Sequence, residues 1–140
     1  MDRPHLVDEL KYDLRIYVML YGVNPLRIYL HKMAFARFCT EPYVRPHPSN
    51  LDNPFMHLTN YAINKLADNY QDCEDDNGDE GHKRSLGAIL QILKQEGCNT
   101  ELFMQEIKEI IVKTCISAQP ELSHLYRACQ PECLDNSMAF

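Results

Sequence analysis

No apolar run in this chain approaches the ~20 residues needed to cross a bilayer, so the sequence predicts no membrane-spanning helix and no membrane partner. The opening stretch Met1–Lys11 lacks the apolar centre of a signal peptide. Positive charge is in deficit. Fourteen Lys and Arg stand against 20 Asp and Glu, a net charge of −6, and bulk electrostatics of that sign disfavour nucleic acid. None of the six cysteines, Cys39, Cys73, Cys98, Cys115, Cys129 and Cys133, forms a C-x-x-C pair. Cys129 and Cys133, even with His124 nearby, lack the four-ligand spacing of a structural zinc site. With no secretory signal, isolated cysteines read as free thiols in a reducing compartment, and a cytoplasmic protein is expected. There is no glycine-rich phosphate loop, no G-x-S-x-G, no H-E-x-x-H and no internal repeat. What remains is an ordinary globular composition, 45% apolar and 24% charged over 140 residues, enough for one domain with one core.

The first half reads as strands. Lys11–Leu20 alternates with period two, placing Asp13, Arg15 and Tyr17 on one face and Leu14, Ile16 and Val18 on the other. An acid and a base therefore share a face beside Lys11, as a structural ion pair or as part of a site. Tyr21–Pro25 predicts a turn, Leu26–Lys32 a second, antiparallel strand, and Met33–Thr40 a third short strand starting near Arg37. Arg37, between Ala36 and Phe38, can fork a phosphate or carboxylate, or be a surface charge. Pro42, Pro46, Pro48 and Pro54 predict a loop over Glu41–Pro54.

That loop leads into Met56–Lys65, MHLTNYAINK. His57, Thr59, Asn60, Asn64 and Lys65 alternate with Leu58, Tyr61, Ala62 and Ile63, too polar for a core strand and too anchored for a solvated loop. The mixture fits a polar site held by packed neighbours, although a satisfied histidine and turn-forming asparagines would look the same. Residues 68–82 hold an acidic, apolar-poor stretch that predicts a flexible insertion. Asp72, Glu74, Asp76 and Gly78 depart from a calcium loop in glycine position and closing glutamate. Ser85 caps a predicted helix to about Glu96, with Leu86, Ile89, Leu90 and Leu93 as its stripe and Gly97 as its stop. A second helix is expected from Asn99 or Thr100 to about Ala118, with Phe103, Ile107, Ile110, Ile111, Thr114 and Ala118 inward. Pro120 is expected to start a third, shorter piece.

Three segments in one order, KYDLRIYV (Lys11–Val18), PLRIYLHKMAFARFCTEPY (Pro25–Tyr43) and MHLTNYAINK, resemble the tubulin tyrosine ligase-like family, and more closely its polyglutamylase branch. The likeness continues through the acidic insertion to ISAQPELSHLYRACQP. It implies an α+β chain: antiparallel strands followed by a helical segment, part of an ATP-grasp fold that is incomplete at both ends. Residues 1–140 would be one partial catalytic domain. The implied activity is ATP-dependent addition of free glutamate to glutamate side chains in tubulin's C-terminal tails, by way of a phosphorylated acceptor carboxylate. The implied location is the cytoskeleton, cilium and basal body included, and the chain is expected to be a monomer. By their match to family positions, Lys11 and Asp13 would lie near base and ribose. Arg15 and Arg37 would carry the catalytic charge stabilisation, His57, Leu58, Thr59 and Asn60 would contact the nucleotide, and Lys65 would bind substrate. Such chemistry needs fixed cationic donors more than a nucleophile.

The family's acidic and E-V-N residues for Mg2+ do not occur here, and this chain is expected to lack ligase activity by itself, its metal ligands belonging to a missing C-terminal segment. The alternative is a non-catalytic short form that binds tubulin or microtubules through Arg15, Arg27, Lys32, Arg37 and Arg45.

Overall fold

A computed structural model describes residues 3–73 and 78–129. The centre of the acidic stretch and Cys133 therefore lie outside the described residues. The elements run β1 (Leu6–Val7), β2 (Leu10–Val23), β3 (Leu26–Phe38), α1 (Pro54–His57), α2 (Tyr61–Asn64), β4 (Lys83–Ser85), α3 (Leu86–Gln95) and α4 (Thr100–Cys129). The sheet has the order β1-β2-β3-β4, antiparallel at both outer pairs, with Val7 opposite Leu10 and Ala36 opposite Arg84. Strands followed by helices is the expected α+β order.

Two strands differ from expectation in length. β2 continues to Val23, and β3 is one strand of 13 residues where two were expected. No glycine or proline interrupts Leu26–Phe38, so nothing breaks the ladder near Met33. The turn between them shrinks to Asn24-Pro25, joined by a cis peptide. β1 was not expected at all. Its turn to β2 uses Asp8 and Glu9, both left-handed at φ 53° and 63°, in place of the Asn-Gly that announces such a hairpin.

The described residues form two compact units, one of residues 3–15, 33–73 and 78–92 and the other of residues 16–32 and 93–129, and β2 and β3 contribute to both. In the first unit Val7, Ala36, Phe38, Cys39 and Ile89 are buried. Tyr12 stacks on Phe38 at 5.3 Å, and Arg84 lies 4.5 Å from the same ring while pairing with Asp8 at 2.7 Å. Ser85 caps α3 by accepting from the Ala88 N–H at 3.1 Å, and Gly97 ends the helical run at φ 86°, both as expected.

In the second unit α4 is one helix of 30 residues that passes through Pro120, where a break was expected. Proline removes one backbone bond there, and the Gln119 amide, donating to the Val23 carbonyl at 2.8 Å, anchors the same turn. The inward stripe is also corrected. Phe103, Ile107, Ile111, Cys115 and Gln119 are covered at i, i+4 spacing, and Leu122 and Tyr126 continue the stripe after a step of three, whereas Ile110, Thr114 and Ala118 are exposed. Asn99 caps the helix by accepting from Glu101 and Leu102 N–H groups.

Ile89 is fully buried and Ile110 is 63% exposed, so chemical denaturation of the two alanine variants should separate them. Ile89→Ala should cost about 2–5 kcal/mol, and Ile110→Ala less than about 0.5 kcal/mol. Equal losses would put Ile110 back in the core.

Candidate functional site

Alternation along β2 puts Lys11, Asp13 and Arg15 on one face, and β3 delivers Arg37 beside them. Arg37 grips Asp13 with two parallel bonds, Nε to Oδ1 at 3.2 Å and Nη2 to Oδ2 at 2.9 Å. Arg15 Nη2 reaches the same Oδ2 at 2.9 Å from a more exposed position. Thr59 hydrogen-bonds Asp13 as well, and Lys11 Nζ donates to the His57 carbonyl at 2.6 Å. Five expected site residues therefore converge on one carboxylate and one loop. Burial pushes the Asp13 carboxyl above its ordinary value, while Arg15, Thr59 and Lys11 pull it back down. Each partner needs the other: the guanidinium groups favour the charged form of Asp13 against its burial, and Asp13 fixes where they point.

The remaining expected residues are placed differently. The His57 ring bonds Asn50, Nε2 lying 3.1 Å from its carbonyl, and meets Tyr43 edge-on; only its backbone oxygen reaches Lys11. Leu58 is exposed and closes α1 through its N–H to the Pro54 carbonyl. Asn60 caps α2, its side chain accepting from the Ala62 N–H at 3.0 Å. Lys65 is exposed, with Nζ 5.5 Å from the centre of the Tyr61 ring.

Asn64 is a residue that the sequence leaves open between a polar site residue and a turn former. It is buried and makes four bonds. Its oxygen accepts from the Thr40 N–H and hydroxyl, and its amide donates to the Leu58 and Asn60 carbonyls. It thereby ties the end of β3 to both ends of the Leu58–Asn60 loop, holding Thr59 against Asp13. Neighbouring Cys39 offers no nucleophile at neutral pH, since burial pushes its thiol up to about 11.

On the other side of Arg37 and Thr59 opens a cavity of about 340 Å³, which Tyr61, Tyr70, His82 and Lys83 also line. The flanks of the acidic segment meet here. The His82 N–H donates to the Gln71 carbonyl at 3.0 Å, the Gln71 N–H donates to His82 Nδ1 at 3.0 Å, and the His82 ring stacks on Tyr70. Gly81 turns under this clasp at φ 78°, and an added Cβ would lie 2.9 Å from the Gln71 oxygen.

Residues 1–137 match the Tubulin-tyrosine ligase family. This chain belongs to that family. Its strands and helices are accordingly part of the family's ATP-grasp fold, as the three motifs implied. Among curated proteins it is 45% identical over 141 residues to the "Probable beta-tubulin polyglutamylase" of Tetrahymena thermophila, covering 100% of this chain and 12% of that protein. It is 39% identical to human "Tubulin polyglutamylase TTLL6" over 140 residues, 100% of this chain and 15% of the relative. With human "Tubulin polyglutamylase TTLL13" it shares 42% identity over 135 residues, 96% of this chain and 16% of the relative. The chain thus spans less than a fifth of the length of these relatives. No helix among the described residues is long and apolar enough to cross a membrane.

Two measurements probe this construction. Asn64→Ala strands several buried polar groups at once and should cost about 3 kcal/mol in chemical denaturation, while Lys65→Ala costs less than about 0.5 kcal/mol. A mild Asn64 variant would mean that the loop is held by something else. Burial and the charge of Arg84 hold the His82 pKa below its ordinary 6.5. The unfolded chain therefore binds more protons, and the stability this clasp contributes is present above 6.5 and lost as pH falls through the folded value. Amide exchange at Gln71 should accelerate on acidification from about pH 7 to about pH 5 beyond the general pH trend of neighbouring amides. Unchanged relative protection would show that His82 need not be neutral to hold the clasp.

Proposed function

We propose that this chain carries the nucleotide-facing centre of an ATP-dependent ligase that adds glutamate to glutamate side chains in tubulin tails. The observation that carries the reading is the cluster on Asp13. Three cations, Lys11, Arg15 and Arg37, surround one carboxylate, leaving an excess of two positive charges in a chain whose net charge is −6. The names of the similar proteins supply the substrate, and cytoskeletal tubulin is the proposed partner.

The donor set fits a triphosphate. Asp13 engages two of the five Arg37 N–H donors, and the His57 carbonyl engages one of three on Lys11. The other donors are available to phosphoryl oxygens, with Thr59 alongside. ATP supplies the activating phosphoryl group when bound. Arg15 and Arg37 would meet the negative charge that grows on it and on the acceptor carboxylate. Because Asp13 already fixes Arg37, little side-chain freedom is lost at that moment. Asp13 is in this reading a positioning residue.

Mg2+ does not fit the same cluster, since both oxygens of its one carboxylate are given to guanidinium groups. Among the described residues no group of three or more His, Cys, Asp or Glu stands ready to hold a metal. No step is therefore assigned to a metal here.

Isothermal titration of ATP into this chain, with and without Mg2+, tests the reading. Binding at millimolar affinity or tighter is expected, weakened about tenfold by Arg37→Ala or by Thr59→Ala. A folded chain that binds no ATP would remove the nucleotide site from these residues.

A further inference from the structure

The outer edge of β2 is a surface that the nucleotide reading does not use. β1 pairs with β2 only at Leu10 and Lys11, and β3 lies on the other side of β2. From Ile16 to Tyr21, within the second unit, β2 therefore has no strand neighbour on its β1 side among the described residues. Exposure agrees. Tyr17, Val18 and Met19 are 56%, 39% and 49% exposed. Alternation sends Val18 to the face opposite Tyr17 and Met19. Exposure on both faces of consecutive residues marks an edge rather than a bare face.

This edge carries none of the usual guards. Lysine, proline or a bulge normally keeps an open strand from pairing with another chain. Ile16–Tyr21, IYVMLY, has no charge, no proline and no glycine, and its residues favour strands. The outer half of β3 is different: Arg27, His31 and Lys32 lie along it, and Pro25 precedes it.

The strip also complements itself. Reversed about Val18, it sets Ile16 opposite Leu20 and Tyr17 opposite Met19 of a second copy, aliphatic on aliphatic and aromatic on thioether. Flanking Arg15 falls opposite Tyr21, so no like charges meet. We propose that Ile16–Tyr21 pairs antiparallel with the same strip of a second copy of this chain, forming a two-fold dimer in place of the monomer that the family resemblance implied. The pairing consumes the β2 edge of both copies and leaves outward only the cation-bearing edges of β3, so the assembly closes at two. Six residues a side span about 20 Å. That is well short of a standard interface, and the dimer is accordingly weak and reversible.

The test is sedimentation of the 140-residue chain over about 5–200 μM, where mass should rise from monomer toward dimer with a Kd of about 10–100 μM. Val18→Lys and Val18→Glu each set like charges opposite one another and should weaken self-association about fivefold or more. An equal mixture of the two should recover it, since Lys then faces Glu. Ile110→Lys, at an exposed position of α4, should leave it unchanged. Should the Val18 variants fail to fold by circular dichroism, amide exchange of the parent chain decides: every second amide of Ile16–Tyr21 should slow with rising concentration, while those of Leu26–Lys32 do not. A chain that stays monomeric to about 200 μM, Val18 variants that associate like the parent, a mixture that does not recover, protection that appears on β3 instead, or association abolished by Ile110→Lys would overturn the proposal.

Discussion

The two-pronged bond between Arg37 and Asp13 is the constraint on which the rest of the site depends. It joins β2 to β3, and it involves a guanidinium only 18% exposed. Taking such a group out of water is costly unless a carboxylate answers it. The pair is thus weak evidence for stability and stronger evidence for placement. It fixes one cation, recruits Arg15 as a second, and gives Thr59 a reason to approach. Removing Asp13 would release Arg15 and Arg37 together, so their positions are coupled through a single side chain.

A second network makes that placement possible. Loops that carry function must satisfy their own backbone groups while holding polar side chains out for use. Asn64 does this for the Leu58–Asn60 stretch by answering two carbonyls with its amide and Thr40 with its oxygen. Asn69 adds a bond to the Thr40 carbonyl at 2.7 Å, so both polar ends of that residue's backbone are used. Thr40 and Asn64 are the buried polar residues of this unit, and each satisfies the other. The short helical turns α1 and α2 are consequences of the same bookkeeping: Asn53 and Asn60 cap them, and the chain between is left extended.

How much of this could be read from the sequence depends on the range of the interaction. Period-two alternation placed Lys11, Asp13 and Arg15 on one face, because alternation is a local property of an extended chain. Caps at Ser85 and Asn99 and the stop at Gly97 were legible for the same reason. The β1 turn was not, since Asp8 and Glu9 adopt left-handed backbone without the glycine that signals it. Asn64 could be read as a site residue or a turn asparagine but not as the tie it is, because its partner lies 24 residues away. On α4 the helical period was right and the face was not. Periodicity gives the spacing of apolar residues, but only the packed surface decides which row is covered, and here it is narrow enough to leave Ile110 and Ile116 exposed. Neither did proline end the helix, since Gln119 supplies a tertiary anchor that local propensity cannot foresee.

The overall charge points away from acidic ligands while the local charge points toward them. Screening resolves the conflict: at physiological salt, exposed charges more than about 8 Å apart are largely hidden from one another. What an approaching phosphate or carboxylate meets at the end is the set of donors within reach. Here that set is Lys11, Arg15 and Arg37, gathered around Asp13. A net charge of −6 therefore governs how slowly a polyanion arrives, not whether it is held once there.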